Sequence, residues 1–182
     1  MKTSSGPVTV DITLIAKVKK PVAITGMSRW DDAKGWTQEG EWQIHKGGNF
    51  LSFQSEEING RIEFNALVRK GKRLEWFLAR RDDRNYLLFR LDKKNLVVEQ
   101  MSEGRSREIA KTPVSFDHDQ PVAVRIEVSA GDVNTSIRQG TGGWTSTTPL
   151  TNPAGSFDKG HFGLHIGGRD EIGVNSFSYY PR

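Results

Sequence analysis

The feature that most restricts the fold of this chain is residues 160–180, where two runs of alternating apolar and polar side chains flank Gly167-Gly168-Arg169-Asp170. A β-strand puts successive side chains on opposite faces, so the pattern describes two half-buried strands joined by a turn. Phe162, Leu164 and Ile166 share one face, and His161, Gly163 and His165 share the other. Ile172 and Val174 repeat the idea, but Phe177 and Tyr179 fall out of phase with them. A β-bulge at Asn175-Ser176 would absorb that slip.

Similar alternation recurs along the chain. Residues 8–18 read as a strand closed by Pro21 and Gly26, and short strands follow in 28–36 around Asp31-Asp32, at 41–45 and at 50–53. Residues 61–69, 74–80, 85–91 and 96–101 form a meander, and 122–128 pair with 132–139. Residues 140–156, rich in Gly, Thr, Ser and Pro, read as a long loop carrying Trp144. Many short strands with regular turn signals and no amphipathic helix predict an all-β fold, a two-sheet antiparallel jelly-roll sandwich. Phe64, Val68, Phe89, Ile126, Phe162 and Leu164 are expected between the sheets.

A chain of 182 residues suits one domain, with residues 1–7 a leader or linker and 8–182 the sandwich. The absence of cysteine removes disulfides, thiolate metal sites and thiol nucleophiles. The net charge of +4 is spread along the chain rather than gathered into a continuous basic surface, so no nucleic acid partner is expected. No run approaches the roughly 20 apolar residues of a membrane span, so no membrane insertion is expected either.

Several stretches resemble the concanavalin-like lectin/glucanase jelly rolls, including laminin-G-like modules, and more distantly the 3-keto-disaccharide hydrolases. They are Gly35-Trp36, Trp42 before Gly47-Gly48, Gly60-Arg61-Ile62-Glu63-Phe64, the run from Leu74 to Arg80, the run from Asp83 to Leu91, and Gly160 to Ile166. The resemblance implies a carbohydrate or cell-envelope ligand, and a setting outside the cytoplasm within a larger bacterial protein. Members with glucanase activity carry Glu, Asp and Glu at nearly alternate positions of one strand. The nearest match, Glu56 to Glu63, has no central Asp and is broken by Asn59-Gly60.

The expected function is therefore non-catalytic recognition on the concave sheet face, with glycoside hydrolysis or a purely structural role as alternatives. The candidate ligand-binding residues are Glu63, Asn65, Trp76, Arg80, Tyr86, Arg90, Trp144 and His165: aromatic plates for sugar faces, with guanidinium, amide and carboxylate groups for hydroxyls. Period two puts Trp76 with Arg80, Tyr86 with Arg90, and His161 with His165. No catalytic residue, metal or cofactor is assigned. The two histidines would lie about 13 Å apart, too far to share a metal. Asp31-Asp32, Asp82-Asp83 and Asp117-His118-Asp119 read as turn caps rather than calcium ligands. Glu63 with Glu75 or Glu127 is the one carboxylate pairing that hydrolysis could use.

Overall fold

A computed structural model describes residues 22–55, 57–152 and 156–182. The expected strand at 8–18 and the leader lie outside the described residues. Those described form fifteen strands and no helix, so no helix is long and apolar enough to cross a membrane. In chain order the first eight are β1 (Ile24–Thr25), β2 (Thr37–Glu39), β3 (Trp42–Lys46), β4 (Asn49–Ser52), β5 (Gly60–Lys70), β6 (Leu74–Asp82), β7 (Asn85–Leu91) and β8 (Asn95–Ser102). The remainder are β9 (Arg105–Pro113), β10 (Val122–Val128), β11 (Asp132–Gln139), β12 (Thr145–Ser146), β13 (Leu150–Thr151), β14 (His161–Ile166) and β15 (Glu171–Pro181).

They assemble into two antiparallel sheets. The nine-stranded sheet runs β12-β11-β10-β5-β15-β3-β2, with β1 also on β15 and β13 on β11; the six-stranded sheet runs β4-β14-β6-β7-β8-β9. Alternation explains why they stack. In β5 and β10 each second residue (Ile62, Phe64, Ala66, Val68; Val122, Val124, Ile126, Val128) is buried, while the residues between stay partly exposed. Each strand therefore offers one apolar face, and two such faces packed together remove both from water. All six residues expected between the sheets lie in this core.

One end of the core is aromatic. Trp30 bridges to Phe53 and meets Trp36, Phe162 and Phe177 edge-on, at centroid distances of 5.9, 5.9 and 5.1 Å. Such edge-to-face pairs add about 0.5–1.5 kcal/mol each beyond burial. Residues 28–36 form turns around that single bridge rather than the strands expected there.

The bulge in β15 is present. Asn175 pairs with Asn65 and Ser178 with Glu63, so β15 carries one residue more than β5, and Ser176 takes a φ of 53°. The extra residue lets Val174 and Phe177 both face the core. The sequence reading did not find β9. Its residues are mostly exposed, as an edge strand's are, and Arg105, Arg107 and Lys111 are charges of the kind that protect such an edge.

Candidate functional site

The eight candidate residues separate into three groups. Arg80, Tyr86, Arg90 and His165 lie on the outer face of the six-stranded sheet; Glu63, Asn65 and Trp144 lie on the outer face of the nine-stranded sheet; Trp76 lies on neither. Trp76 is fully buried and stacks on Phe89 at 5.5 Å, which corrects the expectation that it shares a face with Arg80. The cause is a second bulge. Between the pairs Gly163↔Phe77 and His161↔Arg80, β14 advances two residues and β6 three. Ala79 takes up the extra residue with a φ of 54°, and Arg80 turns outward although Leu78 points inward.

On this face Arg80 lies over the rings of Phe50 and Phe77, at 4.7 and 5.6 Å from their centroids, and its Nη2 donates to Asp83. Phe50 also contacts Tyr86 and His165. Phe77 is fully buried on this side because Gly163, which has no side chain, lets its ring lie against β14. Beside the rings runs a chain of paired charges. Arg90 Nε donates to Glu75 Oε1 at 2.8 Å and Arg90 Nη1 to Glu99 Oε1 at 2.8 Å. His165 Nδ1 lies 2.5 Å from Glu75 Oε2, and Arg73 Nε lies 3.2 Å from Glu75 Oε1.

Burial alone would push the Glu75 carboxyl up, but His165, Arg90 and Arg73 together hold it below the usual carboxylate range. Glu75 is thus a fixed anion, unsuited to donating a proton near neutral pH. Arg90 is correspondingly the link between two carboxylates rather than a free fork for a ligand.

The nine-stranded sheet is arranged otherwise. Arg125 Nε donates to Glu63 Oε1 at 2.7 Å, while Arg61 Nε, 3.3 Å from the same oxygen, makes an ion-pair contact without hydrogen-bond alignment. The Trp144 ring is covered by the guanidinium carbons of Arg125 and Arg138, at 4.4 and 4.8 Å. The pairings Arg138↔Ala123, Ala123↔Asn65 and Asn65↔Asn175 make one row across four strands. Asn65 Nδ2 donates to Asn175 Oδ1 at 2.8 Å. This leaves the Asn65 carbonyl oxygen and the Asn175 amide nitrogen without a protein partner among the described residues.

That row is the floor of a groove of about 360 Å³, with Trp42 at one end and Arg138 at the other. Trp42, on β3 beside the edge strand β2, lies over Gly173, where a Cβ would come within 3.3 Å of its ring. A glycine inside an apolar strand marks such a close approach, and this was the signal for Trp42. Asn175 and Arg138 had none, because their meeting depends on which strands pair.

The carboxylate pairing suited to hydrolysis does not assemble from Glu63 and Glu75. They project from opposite faces of the sandwich, and each is held by arginine. Glu127 does share the face of Glu63, but its Cα partner is Arg61. Two of the acidic turns bind their own backbone, Asp82 accepting from the Arg84 N–H and Asp117 from the Asp119 N–H, whereas Asp31 accepts from the Ser52 N–H of β4. Asp117, His118 and Asp119 are the described group close enough to hold an ion together, and it lies on an exposed turn.

No family model and no curated protein matches the chain. Solved structures do. Carbohydrate-binding module CBM66 from Bacillus subtilis superposes with a TM-score of 0.60 at 13% identity, over 88% of this chain and 97% of that one. The exoplasmic/lumenal domain of VIP36, in its Ca²⁺/Man3GlcNAc-bound form, gives 0.58 at 12% identity, over 86% and 85%. A xylan beta-1,4-xylosidase from Bacillus halodurans gives 0.59 at 9% identity, over 85% of this chain but only 39% of the enzyme. At such identities the likeness concerns the fold, and carbohydrate-binding proteins and glycosidases share it. The chain folds as a two-sheet jelly roll of the concanavalin-like lectin and glucanase type.

Proposed function

We propose that this domain is a non-catalytic carbohydrate-recognition module, and that it holds a glycan chain in the groove between Trp42 and Arg138. The observation that carries this reading is the open row Asn175-Asn65-Ala123-Arg138 beside the Trp42 indole that lies against Gly173. A pyranose presents an apolar C–H face and a rim of hydroxyls. An aromatic plate matches the first, and amide groups that both donate and accept match the second. Ala123 in the middle of the floor keeps the groove from filling with side chain. The shared fold of the CBM66 module and the VIP36 domain is consistent with this reading.

The test is a glycan array of the domain, followed by calorimetry with the best ligand. Trp42→Ala should weaken binding by at least about tenfold, and Asn65→Ala by somewhat less, with unchanged circular dichroism. If no glycan binds, or if Trp42→Ala leaves affinity intact, the groove is not the site. Release of shorter saccharides from a bound oligosaccharide would replace the binding reading with an enzymatic one.

A further inference from the structure

A cavity of about 660 Å³ opens at the β4 edge of the six-stranded sheet, away from the groove. Its walls include Arg29, Asp31, Ser52, Gln54, Arg80 and His161. The backbone sets Arg29 and Asp31 there: Gln54 N–H donates to the Arg29 carbonyl and Asp31 N–H to the Ser52 carbonyl, while Trp30 between them enters the core. Arg80 arrives from the opposite wall through the Ala79 bulge. Ala79 is a non-glycine residue held at positive φ, and such strain clusters at ligand sites.

Two polar atoms at this wall are unsatisfied. Arg80 Nε and His161 Nδ1 are buried without a hydrogen-bond partner, although their residues are Cα neighbours across the ladder. Buried polar groups are normally paired, so an unpaired couple beside a cavity marks a place where a ligand completes the bonding. Arg29 has no ion pair among the described residues. The wall thus offers an anion the unpaired Arg29 guanidinium, the Arg80 guanidinium, whose Nη2 is shared with Asp83, and an imidazole.

Asp31 limits the charge that anion can carry. Its carboxylate shares the cavity, and a dianion such as a phosphate monoester would face it directly. A single carboxylate placed toward Arg80 and Arg29 avoids it, while Asp31, Ser52 and Gln54 supply acceptors and donors for hydroxyls. The volume lies within the usual range for small-ligand pockets. We propose that this cavity binds the carboxylate end of a sugar acid, a hexuronate, as a second site independent of the groove.

The experiment titrates the ¹⁵N-labelled protein with glucuronate, galacturonate, methyl glucoside and inorganic phosphate, following amide shifts. Either hexuronate should move the signals of Ser52, Gln54 and His161 in a saturable way, and methyl glucoside should not. Arg80→Gln and Arg29→Ala should each weaken the hexuronate by about tenfold, and Trp42→Ala should leave it unchanged. Because Arg80 packs on Phe50 and Phe77, its variant is paired with a thermal melt. Arg29 is exposed, and its variant tests the proposal even if Arg80→Gln unfolds. The site is disproved if neither hexuronate binds or if Arg29→Ala is without effect. Phosphate binding as tightly as hexuronate would overturn the assignment of a sugar acid.

Discussion

The outer faces of the two sheets carry similar inventories of arginine, carboxylate and aromatic side chains, and dispose of them in opposite ways. On the six-stranded sheet the groups consume one another: Glu75 is shared by His165, Arg90 and Arg73, Arg90 reaches on to Glu99, and Arg80 covers Phe50 and Phe77. On the nine-stranded sheet Glu63 and Arg125 pair locally, and the row beside them keeps amides and an indole open to a groove. Composition along a strand therefore does not distinguish a closed polar network from a receptive surface. What distinguishes them is whether each donor already has an acceptor within reach.

The contrast is broken most severely at Glu75. Glu75→Ala leaves His165, Arg90 and Arg73 without their common anion, and should lower unfolding free energy by about 3 kcal/mol in urea denaturation. Next comes Trp42→Ala, which should cost a bound glycan about 2 kcal/mol while moving the urea midpoint little, because the ring lies on the outer face. Reversed sensitivities, with Glu75 tolerant and Trp42 essential to folding, would invert the assignment of the two faces.

Acid sharpens the same comparison. The folded carboxyl of Glu75 is depressed below its unfolded value near 4.3, so its stabilising contribution is complete above that pH. It declines as pH falls through the lower folded value, where protonation cuts its attraction to three cations. The stability gap between wild type and Glu75→Gln should therefore narrow on going from about pH 6 to about pH 3, read from paired urea melts. Glu63→Gln should have the smallest effect, under about 1 kcal/mol at neutral pH, because its partners are substantially exposed.

The core was legible because alternation is a direct consequence of strand geometry: the inward residues of β5 and β10 could be read off one by one. The bulge in β15 was legible for the same reason, since Val174 and Phe177 cannot both face inward without an inserted residue. The bulge in β6 was not. Ala79 is neither glycine nor polar, and Leu74 to Arg80 reads as an uninterrupted run, so Trp76 and Arg80 were given one face. The partition of the candidates between two sheets was hidden for a different reason. β5 pairs with β10 and β15, both distant in sequence, and nothing local in Asn65 announces Asn175 as its neighbour. The silence of β9 reflects its place at an edge, where neither face is under pressure to be apolar.

The Ala79 bulge also governs how the chain tolerates changes in length. A residue gained or lost at the Asp82 to Asn85 hairpin alters a turn exposed to water and leaves the registers on either side unchanged. At Ala79 the extra residue itself can absorb a loss: deleting it puts Arg80 next to the inward-facing Leu78, so that simple alternation keeps the arginine outside, opposite its partner His161. A related chain that lacks the extra residue, aligned here without a gap, would have the residues after Leu78 assigned to the wrong side of the sheet. At this point in the molecule, the side that a residue faces follows from counting through the bulge and not from its parity along the strand.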